Sequence, residues 1–307
     1  MEEKDVIIIG GGPAGITFAS KLKKLAPERQ CTMFRPEAHS MVYCAIPYAI
    51  EGLFDPTKVF KRDELVTGIG VELLKRSVKV VDFDKRQVTD ETGTTYTYKT
   101  LFIATGASPI RPPIPGAESA NVFTVKTGQD MTGIIDKVNA GAKRAVVVGA
   151  GAIGIEQAQA YQARGIETWL VDMAPYALPN MIDPEMSEPL NEALREKGVH
   201  LHFGAKVESL DMTDVGVRQV HLSTGEAIDL DPEKDFLCFA VGMKPDVNLF
   251  RGSALEMLKG LSKLSYSAQP WQSFFPARSA IVEACENALD AFAAKEPFHY
   301  SDLMECV

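Results

Sequence analysis

The chain has little cysteine and no cluster of it. Cys31, Cys44, Cys238, Cys285 and Cys306 are the five in 307 residues, an odd number with no Cys-x-x-Cys pair. Neither a disulfide framework nor a metal site is expected, so any special cysteine must be special by its surroundings. A basic run is lacking as well. There are 32 lysines and arginines against 41 aspartates and glutamates, for a formal net charge of -9. Nucleic acid is not an expected partner, because phosphate contacts need clustered cations. No apolar run reaches the roughly 20 residues of a membrane span. The start, Met1-Glu2-Glu3-Lys4-Asp5, lacks the basic and then apolar pattern of a secretory signal. No membrane partner and a cytoplasmic location are therefore expected.

What remains is ordinary for a soluble globular protein: 46% hydrophobic and 24% charged residues. At this length two domains are expected, each able to bury its own core.

Val6 to Ile9 is a β-branched run that ends in Gly10-Gly11-Gly12-Pro13-Ala14-Gly15 and continues into a helical stretch, Ile16 to Leu25. A second strand, Cys31 to Phe34, follows, and the βαβ order predicts that the two strands are parallel. The pattern returns. Arg144 to Val148 reads as a strand, Gly149-Ala150-Gly151-Ala152-Ile153-Gly154 as the turn, Ile155 to Ala163 as the helix, and Glu167 to Val171 as the next strand.

Gly-x-Gly-x-x-Gly between a strand and a helix has a mechanism. Gly10 and Gly149 permit the tight turn. Gly12 and Gly151 let the backbone approach a pyrophosphate, and Gly15 and Gly154 let the helix pack closely. The anion then rests on a helix N-terminus, where free N–H groups point at it. The fold class expected is α/β, with two tandem Rossmann-like nucleotide-binding domains of three layers.

Asp172 ends the strand that follows the second turn, roughly twenty residues on, where an acid accepts hydrogen bonds from ribose hydroxyls and repels a 2′-phosphate. NADH is therefore favoured over NADPH. The first unit has Arg35 at the matching position and Glu37 two residues further on. Either Glu37 takes the ribose role or Arg35 meets the adenosine part differently.

Between the turns, Val78 to Phe83, Gln87 to Thr89 and Thr94 to Tyr98 read as a small meander, and Leu101 to Ala104 as a separate strand. Pro109, Pro112, Pro113, Pro115 and Gly116 mark a linker. Later, Asn191 to Lys197 reads as helix, with Val199 to Phe203 and Phe236 to Val241 as strands. Residues 257–282 contain five serines and no acid, and only Ser279 to Lys295 has helical periodicity. The domains expected are 1–112, 113–246 and a tail, 247–307.

Cys44 lies in His39-Ser40-Met41-Val42-Tyr43-Cys44-Ala45-Ile46-Pro47-Tyr48. Were this segment helical, Ser40 would sit one turn before Cys44 and its hydroxyl would reach the thiolate, the form in which cysteine is nucleophilic. A small buried hydrophobe is the other reading of Cys44.

Taken in order, Gly10 to Gly15, Ala104-Thr105-Gly106-Ala107-Ser108-Pro109, Gly149 to Glu156 and Ala240-Val241-Gly242-Met243-Lys244-Pro245 resemble the pyridine nucleotide-disulfide oxidoreductases. Ser40-x-x-x-Cys44-Ala45-Ile46-Pro47-Tyr48 resembles their single-cysteine branch of coenzyme A disulfide reductases, NADH oxidases and CoA-dependent sulfur reductases. The resemblance spans roughly residues 4–256 and implies FAD on the first unit. Its site would include Gly10, Gly12, Pro13, Ala14, Gly15, Arg35, Glu37, Val80, Ala104, Thr105 and Gly106. It implies NAD(P)H on the second, at Gly149, Gly151, Ile153, Gly154, Glu156, Asp172 and Gly242. It also implies catalytic roles for Cys44, Ser40 and Tyr48, coenzyme A as a further ligand, a small-molecule substrate and a homodimer. Lys21, Lys23 and Lys24 are candidates for CoA phosphates, with a solvated helix face as the plainer reading.

The branch narrows further. No second cysteine neighbours Cys44, and the first glycine turn holds Pro13 and no histidine. The family pattern continues with a strand ending in Gly-Asp and then a dimerisation domain, and no Gly-Asp pair follows Gly242 here. The reading that results is hydride transfer from NADH through FAD to a disulfide, persulfide or sulfur species at Cys44. Two alternatives stay open: an NADH-binding protein with no working flavin site, and a flavin NADH oxidase that uses oxygen or a quinone.

Overall fold

The structure is a computed structural model and describes residues 2–250. The helix expected over Ser279 to Lys295 lies outside the described residues. Packing divides the chain into two units. One holds the residues up to Ser40, Lys61–Gly106 and the described residues from Pro245, and the other holds Met41–Phe60 and Ala107–Lys244.

The first unit is built on β1 (Glu2–Ile9), α1 (Pro13–Leu25), β2 (Cys31–Phe34), β3 (Val71–Leu74), β4 (Val78–Asp82), β5 (Gln87–Asp90) and β6 (Thr95–Ile103). Their sheet order is β3-β2-β1-β6-β5-β4. β1 runs parallel to β2, with Val6 opposite Cys31 and Ile9 opposite Phe34. Val6 to Ile9 are buried, as a strand covered on both faces requires.

Thr94 to Tyr98 and Leu101 to Ala104 were expected as separate strands, and the structure joins them in the single strand β6. The reason is pairing. β6 runs parallel to β1 from Tyr96 to Ile103 while its first residues pair antiparallel with β5. One strand thus closes the meander and feeds the parallel sheet.

The second unit contains α2 (Ile46–Glu51), β7 (Val122–Phe123), α3 (Gly128–Asn139), β8 (Arg144–Val148), α4 (Ala152–Ala163), β9 (Glu167–Asp172), α5 (Pro184–Glu196), β10 (Val199–Phe203), β11 (Val207–Met212), β12 (Val217–Leu222), β13 (Ala227–Asp229) and β14 (Phe236–Phe239). The parallel sheet runs β7-β14-β8-β9-β10, and β11-β12-β13 form a separate antiparallel sheet. α5 starts well before the expected Asn191, because Pro184 sits at its first position, where no N–H is needed. The strand expected over Phe236 to Val241 stops at Phe239.

The segment around Cys44 packs with the second unit, although it lies within residues 1–112. Ile46, Ala49 and Ile50 of α2 are buried in one cluster with Ile134 of α3 and Ala158 and Tyr161 of α4. No helix among the described residues is long and apolar enough to cross a membrane.

Candidate nucleotide and thiol sites

The two glycine turns share one geometry. Gly10 has φ +113° and Gly149 φ +108°, a region that only glycine enters without strain. A side chain at Gly10 would strike the Ala104 carbonyl oxygen, and one at Gly149 the Ala240 carbonyl oxygen. These neighbours are fixed by the sheet: the Ala104 N–H donates to Ile9 O at 2.8 Å and the Ala240 N–H to Val148 O at 2.7 Å. In both units the last glycine, Gly15 or Gly154, presses on the carbonyl of the first.

α1 and α4 therefore begin hard against the ends of β1 and β8. Gly12 and Gly151 are their N-caps, in extended backbone with no side-chain cap. The N–H groups of a helix's first turn have no partner within the helix. Pro13 and Ala14 are exposed at the opening of the first turn. A bare helix start with no capping side chain fits a pyrophosphate in each unit.

Asp172 ends β9, beside the second glycine turn. One carboxylate oxygen accepts the Ala150 N–H and the other the Ala174 N–H at 2.8 Å. The carboxylate thus braces the second glycine turn. Ile153 lies half-buried in the first turn of α4. Glu156, on the next turn, is exposed as a residue, yet partial burial of its carboxyl raises its pKa. Gly242 is exposed, with φ +107°.

Arg35 behaves otherwise than a ribose-binding acid. It is 2% exposed, and its stem lies directly under Gly11. The guanidinium donates to the carbonyls of Glu37 at 3.0 Å and Ala38 at 2.9 Å and pairs with Asp63 at 2.6 Å. Lys75 and Arg35 together hold the Asp63 carboxyl below its usual range. Glu37 keeps an exposed side chain. Val80 is 56% exposed on β4. The Thr105 hydroxyl donates to Asp246 O at 2.8 Å, which ties the exposed, positive-φ Gly106 turn to the residues after β14. Lys23 is turned to the end of its own helix, where it donates to the carbonyls of Pro27 and Arg29.

The helical reading of residues 40–44 is corrected. Ser40 and Met41 are extended, and Cys44 sits in a 3-10 turn, Tyr43–Ala45. The one-turn spacing of Ser40 and Cys44 does not apply. Ser40 is buried and its hydroxyl has no hydrogen-bond partner among the described residues. Cys44 is exposed, so the reading of it as a buried hydrophobe falls too. Among the described cysteines the other two are buried, with Cys31 pushed up to about 11 and Cys238 to about 12 by desolvation. Of the three described cysteines only Cys44 has the access that a reactive thiol needs. Tyr48 is 44% exposed on α2, one turn further along.

Sequence reasoning passed over Lys126. Its ammonium lies 3.5 Å from the centre of the ring of Tyr43, the residue that precedes Cys44 in the chain. No motif signals a contact between residues so far apart in the chain.

Two glycine turns, each between a parallel pair of strands, define a tandem Rossmann-like fold. The chain belongs to the pyridine nucleotide-disulphide oxidoreductase family, whose model matches residues 4–262. It is 32% identical to an NADH oxidase of Methanocaldococcus jannaschii over 268 residues, 82% of this chain and 57% of that protein. It is 31% identical to an NAD(P)H coenzyme A polysulfide/persulfide reductase of Pyrococcus horikoshii, over 80% of this chain and 55% of that one. The solved structure of reduced Bacillus anthracis CoADR-RHD superposes with a TM-score of 0.75 at 28% identity, over 82% of this chain and 46% of that one. The chain thus spans about half the length of the relatives it matches.

Proposed function

We propose that the protein is an FAD-containing, NADH-dependent oxidoreductase that reduces a disulfide, persulfide or sulfur species through Cys44, with a coenzyme A thiol as the favoured partner. The observation that carries this reading is the exposed thiol of Cys44, two residues before α2, which packs on α4, the helix that opens at the second glycine turn. The names of the relatives, an NADH oxidase and a coenzyme A polysulfide/persulfide reductase, support it.

In this reading the first unit holds the FAD pyrophosphate at Gly10 to Gly15, with Ala104 to Gly106 alongside. FAD, when bound, supplies the two-electron relay between a nicotinamide and a sulfur centre. The second unit holds NADH, with the pyrophosphate at Gly149 to Gly154 and the ribose at Asp172; Glu156 and Gly242 border the nicotinamide. Cys44, as thiolate, attacks one sulfur of the acceptor, forms a mixed disulfide and expels the other sulfur as thiolate. Two electrons and a proton then split that disulfide, returning the Cys44 thiolate and releasing a thiol. In this reading Tyr48, exposed on α2, donates a hydrogen bond to the leaving sulfur.

The test is an absorbance spectrum before and after anaerobic NADH. Flavin bands that bleach with NADH are the expected result. A colourless protein that takes up no added FAD would overturn the reading and leave an NADH-binding protein, the alternative that the inward-turned Arg35 favours. NADH oxidation that survives Cys44→Ser would assign the acceptor to oxygen or a quinone instead.

A further inference from the structure

Cys44 lies in a 3-10 turn, Tyr43–Ala45, that runs directly into α2. One apolar face of α2 is buried in the cluster that holds Ala158 and Tyr161 of α4. That packing leaves a second demand, because the last carbonyls of a helix have no partner within it. Two are met by the chain just beyond. The Leu53 N–H donates to Tyr48 O and the Gly52 N–H to Ala49 O, both at 3.1 Å. The Ile50 carbonyl is met from another helix. Arg164, the C-cap of α4, donates from Nη1 to Ile50 O at 2.9 Å. Its Nη2 donates to Oδ1 of Asn139, the last residue of α3, at 3.1 Å. One planar guanidinium thus joins the C-terminal ends of three helices, where carbonyl dipoles favour a cation.

Room for the guanidinium comes from Gly52, which ends α2 with φ +89°. A side chain there would meet Arg164 Nη1 at 3.3 Å. Ile50 is 0% exposed, so water cannot replace the guanidinium at its carbonyl without local opening. α4 therefore begins at the second glycine turn and ends on the helix that follows Cys44 and carries Tyr48.

We propose that Arg164 is a positioning residue for Cys44 and Tyr48. By holding the C-terminal end of α2 it fixes the thiol segment to α4, the helix that opens at the turn proposed to carry NADH. The inference rests on the proposed roles of Cys44 and Tyr48 and adds the residue that keeps their segment in place.

The experiment uses the full chain, with whatever flavin it retains. Hydrogen–deuterium exchange over residues 41–53 is compared with exchange in α1 and β8. A nitroxide on Cys44, in a Cys285→Ser and Cys306→Ser background, is read by electron paramagnetic resonance. Arg164→Met is expected to speed amide exchange at the end of α2 about tenfold, the order of one hydrogen bond to a charged group. It is also expected to narrow the nitroxide spectrum. Exchange in α1 and β8 and the NADH affinity read by fluorescence should hold their parent values. Arg164→Lys, which can reach one acceptor but cannot bridge two, is expected to fall between parent and Met variant. Where bound flavin bleaches with NADH, kcat on a disulfide should fall about tenfold in Arg164→Met, with KM for NADH unchanged.

An unchanged spectrum and unchanged exchange in Arg164→Met would overturn the proposal. So would losses shared equally by β8 and by NADH binding, which would mark a stabiliser of the whole second unit. A loosened segment with kcat unmoved would overturn it too. The two readings fail separately: NADH bleaching beside an unmoved Cys44 segment sinks this inference alone, and a colourless protein whose segment still loosens sinks only the enzymatic reading.

Discussion

Asp172 is hydrogen-bonded to Ala150, the residue between the first two glycines of the second turn, at 2.5 Å. The acid proposed to read the ribose therefore also holds the turn proposed to carry the pyrophosphate. Asp172→Ala removes both functions, and about tenfold weaker NADH binding is expected, the order of one charge-assisted hydrogen bond. The ratio of NADPH to NADH affinity should rise, because the carboxylate that repels a 2′-phosphate is gone. Fluorescence titration with each nucleotide checks both. An unchanged ratio with weaker binding would leave Asp172 as a brace of the loop only.

Gly10 tests the first unit separately. Gly10→Ala places a methyl group against the Ala104 carbonyl at a φ of +113°. Strain of about 1–3 kcal/mol is expected at that site. The variant should lose retained flavin and keep NADH binding, read from the flavin-to-protein ratio and from nucleotide fluorescence. If Gly10→Ala keeps a full complement of flavin, the first turn is not where the pyrophosphate rests.

Thiol chemistry separates the described cysteines. Burial holds the Cys31 thiol near 11 and the Cys238 thiol near 12, so both stay protonated in the folded protein at pH 8, while Cys44 is open to solvent. Of these three, only Cys44 should react with iodoacetamide within minutes at pH 8, and denaturant should release the other two. Fast labelling of Cys31 or Cys238 in the native protein would contradict their burial.

The local parts of the fold were legible in the chain. Cys31 to Phe34, Arg144 to Val148 and Val199 to Phe203 are strands with the expected bounds, because short apolar runs between turn residues specify them without help from afar. The glycine turns have the positive φ that their motif requires, since the demand lies within six residues of chain. What was not legible depends on distant partners. Thr95–Ile103 is one strand because β1 lies beside it along nearly its whole length. Ser40 is extended, although its spacing to Cys44 suited a helix. Arg35 is buried because Asp63 and two carbonyls await it, and Lys126 meets Tyr43 across two separate segments. None of these contacts has a sequence period to reveal it.

Arg35 and Asp63 yield the last prediction. Arg35→Met would leave Asp63 and the carbonyls of Glu37 and Ala38 without their cation beneath the first glycine turn. Because Asp63 is 27% exposed and also meets Lys75, the cost is expected below that of a fully buried pair, about 2 kcal/mol. The pH dependence has a definite sign. Lys75 and Arg35 lower the Asp63 pKa from 3.8 in the folded state. The stability this confers is present above pH 3.8 and is lost as pH falls through the depressed folded value. Removing Arg35 raises the folded pKa toward 3.8, so the gap between parent and variant should be constant near neutrality and shrink on acidification below it. Urea unfolding at pH 7 and at a series of lower pH values measures this. A gap that stays the same down to the acid limit would mean that Arg35 stabilises the loop through the two carbonyls and Gly11 alone, with no contribution from its charge on Asp63.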